Sequence, residues 1–170
     1  LSPETKCVIE LGSYLGLSTR FICHHAPNAK VFAVDLWDNK FLLEELGHNY
    51  NRSGAHKLKF DLYETFLSNH WELREQVVPV RMLTWEALAL LAEAGVEPDM
   101  VYVDAGHDYE PALKDIRTAV RLFPKARIVG DDWDYEGVRR AAVEVRDEFG
   151  TPPIHVQDFK CWSFGEVAQP

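Results

Sequence analysis

The chain has 170 residues, of which 46% are hydrophobic and 26% charged, with a formal net charge of −9. The length reads as one domain with room for a substantial core, and the composition as that of an ordinary soluble globular protein. The acidic balance argues against nucleic acid, which needs a basic face, and no apolar run approaches the ~20 residues of a membrane span. No N-terminal stretch reads as a signal peptide, and the start at Leu1 rather than Met reads as trimming. Cys7, Cys23 and Cys161 are odd in number and widely spaced, so they fit neither a disulfide framework nor a zinc site. A reducing, cytoplasmic compartment is the expectation.

The apolar run Cys7–Ile9 ends in Glu10, and Gly12, Gly16 and a helix-compatible segment, Leu17–His25, follow. That order predicts a buried strand, a tight glycine turn and a helix start. Glycine has no Cβ, so a ligand is expected to lie directly against the backbone there. The helix N-terminus offers unpaired N–H groups to a carboxylate or phosphate. A dinucleotide site wants G-x-G-x-x-G. Here the pattern is Glu-x-Gly-x-x-x-Gly, whose acid repels a pyrophosphate and suits a cationic ligand. S-adenosylmethionine, with an amino group and a sulfonium, is such a ligand. An ordinary strand–helix turn is the other reading of the same residues.

Lys30–Asp35 is a second strand ending in an acid. Asp35 lies about twenty residues past the glycine turn, where a nucleotide-binding unit carries its ribose acid; a solvated strand-end carboxylate is the alternative. Residues 36–76 are the least regular part and form a candidate lid or insert. Helices are expected at Phe41–Leu46 and Lys57–Asn69, separated by turn material at Asn49–Gly54. Phe60, Tyr63, Phe66 and Leu67 read as a core stripe. His24, His25, His48 and His56 read as solvent-exposed.

Val77–Met82 is a third strand, and Pro79 places it at a sheet edge. A helix over Glu86–Ala94 ends at Gly95. Met100–Asp104 is the fourth strand; Asp108 then caps a helix that Pro111 helps to start and that runs to Phe123. Ala126–Asp132 is the fifth strand. The helix Tyr135–Phe149 is stopped by Gly150 and Pro152. Ile154–Phe159 and Cys161–Phe164 pair as an antiparallel hairpin, in which His155 is structural.

Strand–helix alternation predicts a Rossmann-like α/β fold: an open, mostly parallel sheet with helices on both faces and a C-terminal hairpin. Ligands bind such sheets beyond the carboxyl ends of the strands. Glu10, Asp35, Asp104, Asp131 and Asp132 all fall there. Neighbouring strands lie ~4.8 Å apart, so Asp104, Asp131 and Asp132 can share one small cation. An all-oxygen set favours Mg²⁺, Mn²⁺ or Ca²⁺ over zinc. The other reading is an acid cluster relieved by Arg139 or Arg140, or by helix capping from Asp132. His107, three residues past Asp104, is placed as a proton acceptor, or as a brace that only hydrogen-bonds Asp104.

Together, Ile9–Thr19, Val34-Asp35, Asp104-Ala-Gly-His107 and Gly130-Asp-Asp132 resemble the class I S-adenosylmethionine-dependent methyltransferases. More narrowly, they are similar to metal-dependent O-methyltransferases of the catechol kind. Val103–Glu110 with Gly130–Trp133 looks like the macrocin O-methyltransferase group, which acts on sugar hydroxyls. The resemblance implies cofactor contacts from Glu10, Gly12, Ser13, Tyr14, Gly16 and Ser18. It implies ribose binding by Asp35, with adenine near Leu36, Trp37, Leu83 and Thr84. It also implies Mg²⁺ on Asp104, Asp131 and Asp132, with Asp104 and His107 catalytic and Asp104 beside the cofactor. It implies a small-molecule hydroxyl acceptor as the partner, and an oligomer is compatible with the sequence.

Catechol-type enzymes carry lysine where His107 stands and Asp-Asn where Asp131-Asp132 stands. Their helices before the first strand have no counterpart here, which leaves part of the acceptor wall unaccounted for. A nicotinamide oxidoreductase lacks support because the glycine spacing is wrong. A cephalosporin hydroxylase-like enzyme and a catalytically silent S-adenosylmethionine-binding protein stay as alternatives on the same fold.

Overall fold

The computed structural model describes residues 1–38 and 60–165. The helix expected at Phe41–Leu46, the turn at Asn49–Gly54, His48 and His56 lie outside the described residues. The strands are β1 Cys7–Leu11, β2 Lys30–Asp35, β3 Val77–Arg81, β4 Met100–Val103, β5 Arg127–Gly130, β6 Ile154–Gln157 and β7 Cys161–Phe164. The helices among the described residues are α1 Leu17–His25, α2 Leu62–Asn69, α3 Thr84–Glu93, α4 Tyr109–Leu122 and α5 Glu136–Phe149, with a 3₁₀ turn at Trp71–Leu73. None of these helices is long and apolar enough to cross a membrane.

One seven-stranded sheet runs in the order β3-β2-β1-β4-β5-β7-β6. The first five strands pair in parallel, and β7 joins β5 and β6 antiparallel. Pro79 sits on edge strand β3 opposite Ala33, where its missing N–H interrupts no second ladder. Alternation along each strand separates two cores. Ile9, Leu11, Val101, Val103 and Ile128 face α3, α4 and α5. Val8, Val31, Ala33 and Met100 turn the other way, onto Ile22 and Cys23 of α1 and Leu62 and Phe66 of α2. Helices therefore cover both faces.

Several local expectations shift. In the expected aromatic stripe of α2, Phe66 is fully buried while Phe60 and Leu67 are exposed, because Leu62 takes the inward position. Asp108 precedes α4 as its N-cap residue but makes no side-chain cap bond. Strand order reverses between β1 and β4, β2 lying to one side and β5 to the other. The crevice opens there, above the carboxyl ends.

Candidate active site

The β1 side of the crevice is held by its own hydrogen bonds. Glu10 lies within β1 and is 0% exposed, not at a free strand tip. Its carboxylate accepts from Ser13 Oγ at 2.7 Å and from Thr19 Oγ1, while Oε1 is buried without a partner. Burial pushes its pKa up; the hydroxyls of Thr19, Ser18 and Ser13 and the nearby His70 pull it back. Glu10 thus braces the turn from beneath.

Asp35 accepts from the Tyr14 amide at 2.8 Å and the Trp37 amide at 2.7 Å. Burial raises its pKa, opposed by the amides of Trp37, Tyr14 and Leu36. The Trp37 indole is 1% exposed, packs on Phe66 and Tyr63, and donates from Nε1 to the Tyr14 carbonyl at 2.6 Å. Tyr14, in the left-handed region with φ 45°, is therefore pinned through both its amide and its carbonyl. Arg81 donates to the carbonyls of Leu36 and Trp37. Thr84 gives its hydroxyl to buried Asp115, and Leu83 is the N-cap residue of α3.

The two glycines are required by the protein's own packing. A Cβ on Gly12 would lie 1.9 Å from the Asp104 carbonyl oxygen, and one on Gly16 would lie 1.8 Å from Cε1 of His70. Both have positive φ, 91° and 85°. Neighbouring protein therefore already forbids a side chain at either position, in addition to the expected approach of a ligand to bare backbone.

A groove of about 1010 Å³ runs beside this turn. Of the expected cofactor residues, Gly12, Ser13, Tyr14, Gly16, Ser18 and Asp104 line it. Glu10, Asp35, Leu36, Trp37, Leu83 and Thr84 do not form its wall.

On the β4–β5 side, Asp104, His107 and Asp132 converge, with one donor atom of each within 4.8 Å of the others. His107 Nε2 is 2.7 Å from Asp132 Oδ2, and its ring stacks on Tyr135 at 5.0 Å. Asp132, in the left-handed region with φ 59°, is the acid that joins the trio. Asp131 is bonded elsewhere. Its Oδ1 accepts from the Asp132 amide and the Cys161 thiol, and its Oδ2 lies 3.4 Å from the Tyr102 hydroxyl. His107 therefore stands in the converging trio where Asp131 was expected.

Burial first, and then the charges of Asp131 and Asp132, push the Asp104 carboxyl up to about 7. The hydrogen bond to Asp132 leads the upward shift of His107, and the same bond leads the downward shift of Asp132. Arg139 does not relieve the acids, since it donates to the carbonyls of Trp133 and Asp134. Arg140 lies over the Tyr109 ring. Lys160 Nζ comes no nearer than 4.0 Å to Asp132 Oδ1.

Two residues of the site escape a reading by motif. Tyr102 lines the groove because it shares a face of β4 with Met100 and Asp104, a signal present in the period-2 pattern. His70, 3% exposed beneath Gly16, reaches the turn through a tertiary contact that no local pattern announces.

An open sheet of this order, with an acid–glycine turn after β1 and an acid ending β2, has the architecture of the S-adenosylmethionine-dependent methyltransferases. Residues 9–133 match the model of a family described as a methyltransferase domain, and the chain belongs to that family. Among solved structures it is similar to an O-methyltransferase from Bacillus cereus in complex with SAH, at 15% identity and TM-score 0.65, covering 95% of this chain and 74% of that one. It is also similar to a precorrin-6y C5,15-methyltransferase from Geobacter metallireducens, at 14% identity and TM-score 0.64, covering 94% and 78%. A third is a TDP-rhamnose 3'-O-methyltransferase of calicheamicin biosynthesis, at 14% identity and TM-score 0.59, covering 95% and 72%. A comparison with curated proteins finds no match. The protein is an S-adenosylmethionine-dependent methyltransferase.

Proposed function

We propose that this enzyme transfers the methyl group to a hydroxyl oxygen of a small molecule, a sugar or a catechol-like ring, with a divalent cation on Asp104 and Asp132. The observation that carries the proposal is the convergence of Asp104, His107 and Asp132 beside the groove of the glycine turn. The donor set fits a cation. Burial first, and then the charges of Asp131 and Asp132, hold the Asp104 carboxyl at about 7, and a dication would offset the repulsive part. A cation held by Asp104 and Asp132 would lower the pKa of the acceptor's hydroxyl.

The remaining work belongs to the chain. The groove seats the donor beside the acids, and orientation of this kind removes ~7–11 kcal/mol of barrier in well-positioned reactions. With Nε2–H donating to Asp132, His107 takes the acceptor's proton at Nδ1, and Asp132 stabilises the imidazolium that forms. Tyr135 holds the imidazole plane by stacking. The O-methyltransferase neighbours, one of them a sugar-modifying enzyme, support oxygen as the acceptor atom.

A second reading has His107 as a third ligand, which the 4.8 Å convergence favours. A nitrogen donor would shift preference from Mg²⁺ and Ca²⁺ toward transition ions. Methyl transfer to a panel of nucleotide sugars and catechols is the test. Activity lost to EDTA and restored by Mg²⁺ or Mn²⁺ is expected; transfer indifferent to EDTA would overturn the metal. A His107→Ala protein that regains native turnover at high metal makes His107 a ligand rather than the proton acceptor.

A further inference from the structure

We propose that Asn69 and His70, at the carboxyl end of α2, are positioning residues for the methyl donor; the inference rests on S-adenosylmethionine as the ligand of the glycine turn. The carbonyls of that turn are held from a distant part of the chain. Asn69 Nδ2 donates to the Leu15 carbonyl at 3.1 Å, and His70 Nε2 lies 3.0 Å from the Gly16 carbonyl, each across 54 positions of sequence. Arg20, one turn into α1, donates in return from Nη1 to the Asn69 carbonyl at 2.7 Å.

The His70 ring is fixed in place. It is 3% exposed, stacks on Phe66 at 4.2 Å, and has Nδ1 2.8 Å from the Phe66 carbonyl. Both ring nitrogens face oxygens that only accept. A neutral imidazole has one N–H and serves one of them, whereas the imidazolium serves both. The ring also fills the space that any side chain at position 16 would need.

What this clasp controls is direction. Gly16 is the left-handed N-cap of α1, φ 85° and ψ 27°, and no side chain caps the first turn. Leu17 and Ser18 line the groove. The open amides of that first turn suit the donor's carboxylate, and their aim follows the orientation of Gly16. A residue serving stability alone would lower the melting point and leave ligand affinity in the folded protein intact.

The test is S-adenosylhomocysteine calorimetry combined with amide exchange across Leu15–Arg20 in the ligand-free protein. His70→Ala removes the ring beneath Gly16 and leaves the buried carbonyl to the Arg20 amide alone, so Kd rises about 10- to 100-fold and exchange quickens. His70→Gln, which keeps an N–H donor, recovers most of the affinity. Asn69→Ala gives a smaller loss in the same direction. If His70→Ala does not fold, the Gln and Asn69 variants carry the test. Native Kd and native exchange in His70→Ala, or in Asn69→Ala where His70→Ala does not fold, would overturn the clasp. A native protein that binds no S-adenosylhomocysteine would instead overturn the donor assignment.

Discussion

On the β1–β2 side of the crevice the acids are committed to the protein itself: Glu10 to Ser13 and Thr19, Asp35 to the amides of Tyr14 and Trp37. On the β4–β5 side, Asp104 is pushed up by burial and two neighbouring acids, with His107 as the opposing charge. One half is a preorganised cradle, closed by hydrogen bonds before a ligand arrives. The other is an excess of negative charge with His107, and Lys160 at 4.0 Å from Asp132, against it. Substitutions in the first half should act through the shape of the turn, and those in the second through chemistry.

The largest effect is expected where the halves touch. Gly12 packs against the Asp104 backbone, so Gly12→Val places a branched side chain inside the β4 exit at a positive φ. Unfolding free energy should fall by at least about 3 kcal/mol, and S-adenosylhomocysteine binding should disappear with it. Urea denaturation and calorimetry check both. A stable, ligand-binding Gly12→Val would break the packing account of this glycine.

His107→Ala should separate the halves cleanly. Turnover should drop about 10²- to 10⁴-fold, as for loss of a general base, while donor affinity stays near native. Steady-state kinetics beside calorimetry would show the split. Equal losses in both would mean that the halves are not independent.

The smallest effect sharpens the contrast with a buried acid outside the charge cluster. Asp115, on α4, is 1% exposed, accepts from Thr84 Oγ1, and is pushed up to about 7 by burial. Its folded pKa exceeds its unfolded one, so the folded protein holds more protons between about pH 4 and about 7. The contribution of this group is therefore fullest at acid pH and declines as pH rises through that window. Asp115→Asn keeps an acceptor for Thr84 and removes the charge. It should add about 1–3 kcal/mol near pH 8 and almost nothing near pH 4. Paired urea titrations at the two pH values measure the difference; equal effects at both would show that Asp115 does not titrate in this range.

Much of the frame was legible because apolar runs and their punctuation agree. Leu17–His25 and Lys30–Asp35 form as expected, Pro79 marks an edge, and the hairpin closes the sheet. Strand ends were harder to read. Leu11 continues β1 beyond Glu10, so an acid expected at the tip is buried within the strand. Conversely, the run Ala126–Asp132 reads as one strand, while β5 ends at Gly130 and leaves both acids beyond the strand. Which of two adjacent acids faces the cluster is settled by tertiary contacts, Asp131 being held by Tyr102 and Cys161, and composition carries no trace of it. The glycine turn was visible, but the packing beneath it was not. The atoms that forbid a side chain belong to Asp104 and His70, distant residues that only folding brings beneath the turn.

The most direct test of the charge-cluster account is thermal stabilisation by saturating Mg²⁺ or Mn²⁺, measured with S-adenosylhomocysteine present. A site that binds the folded state alone raises the melting temperature by mass action. The account predicts a rise in the native protein and in Asp131→Asn, whose carboxylate is bonded to Tyr102, Cys161 and the Asp132 amide. It predicts no rise in Asp132→Asn or Asp104→Asn. A native protein indifferent to both metals, or a response lost in Asp131→Asn and kept in Asp132→Asn, would contradict it.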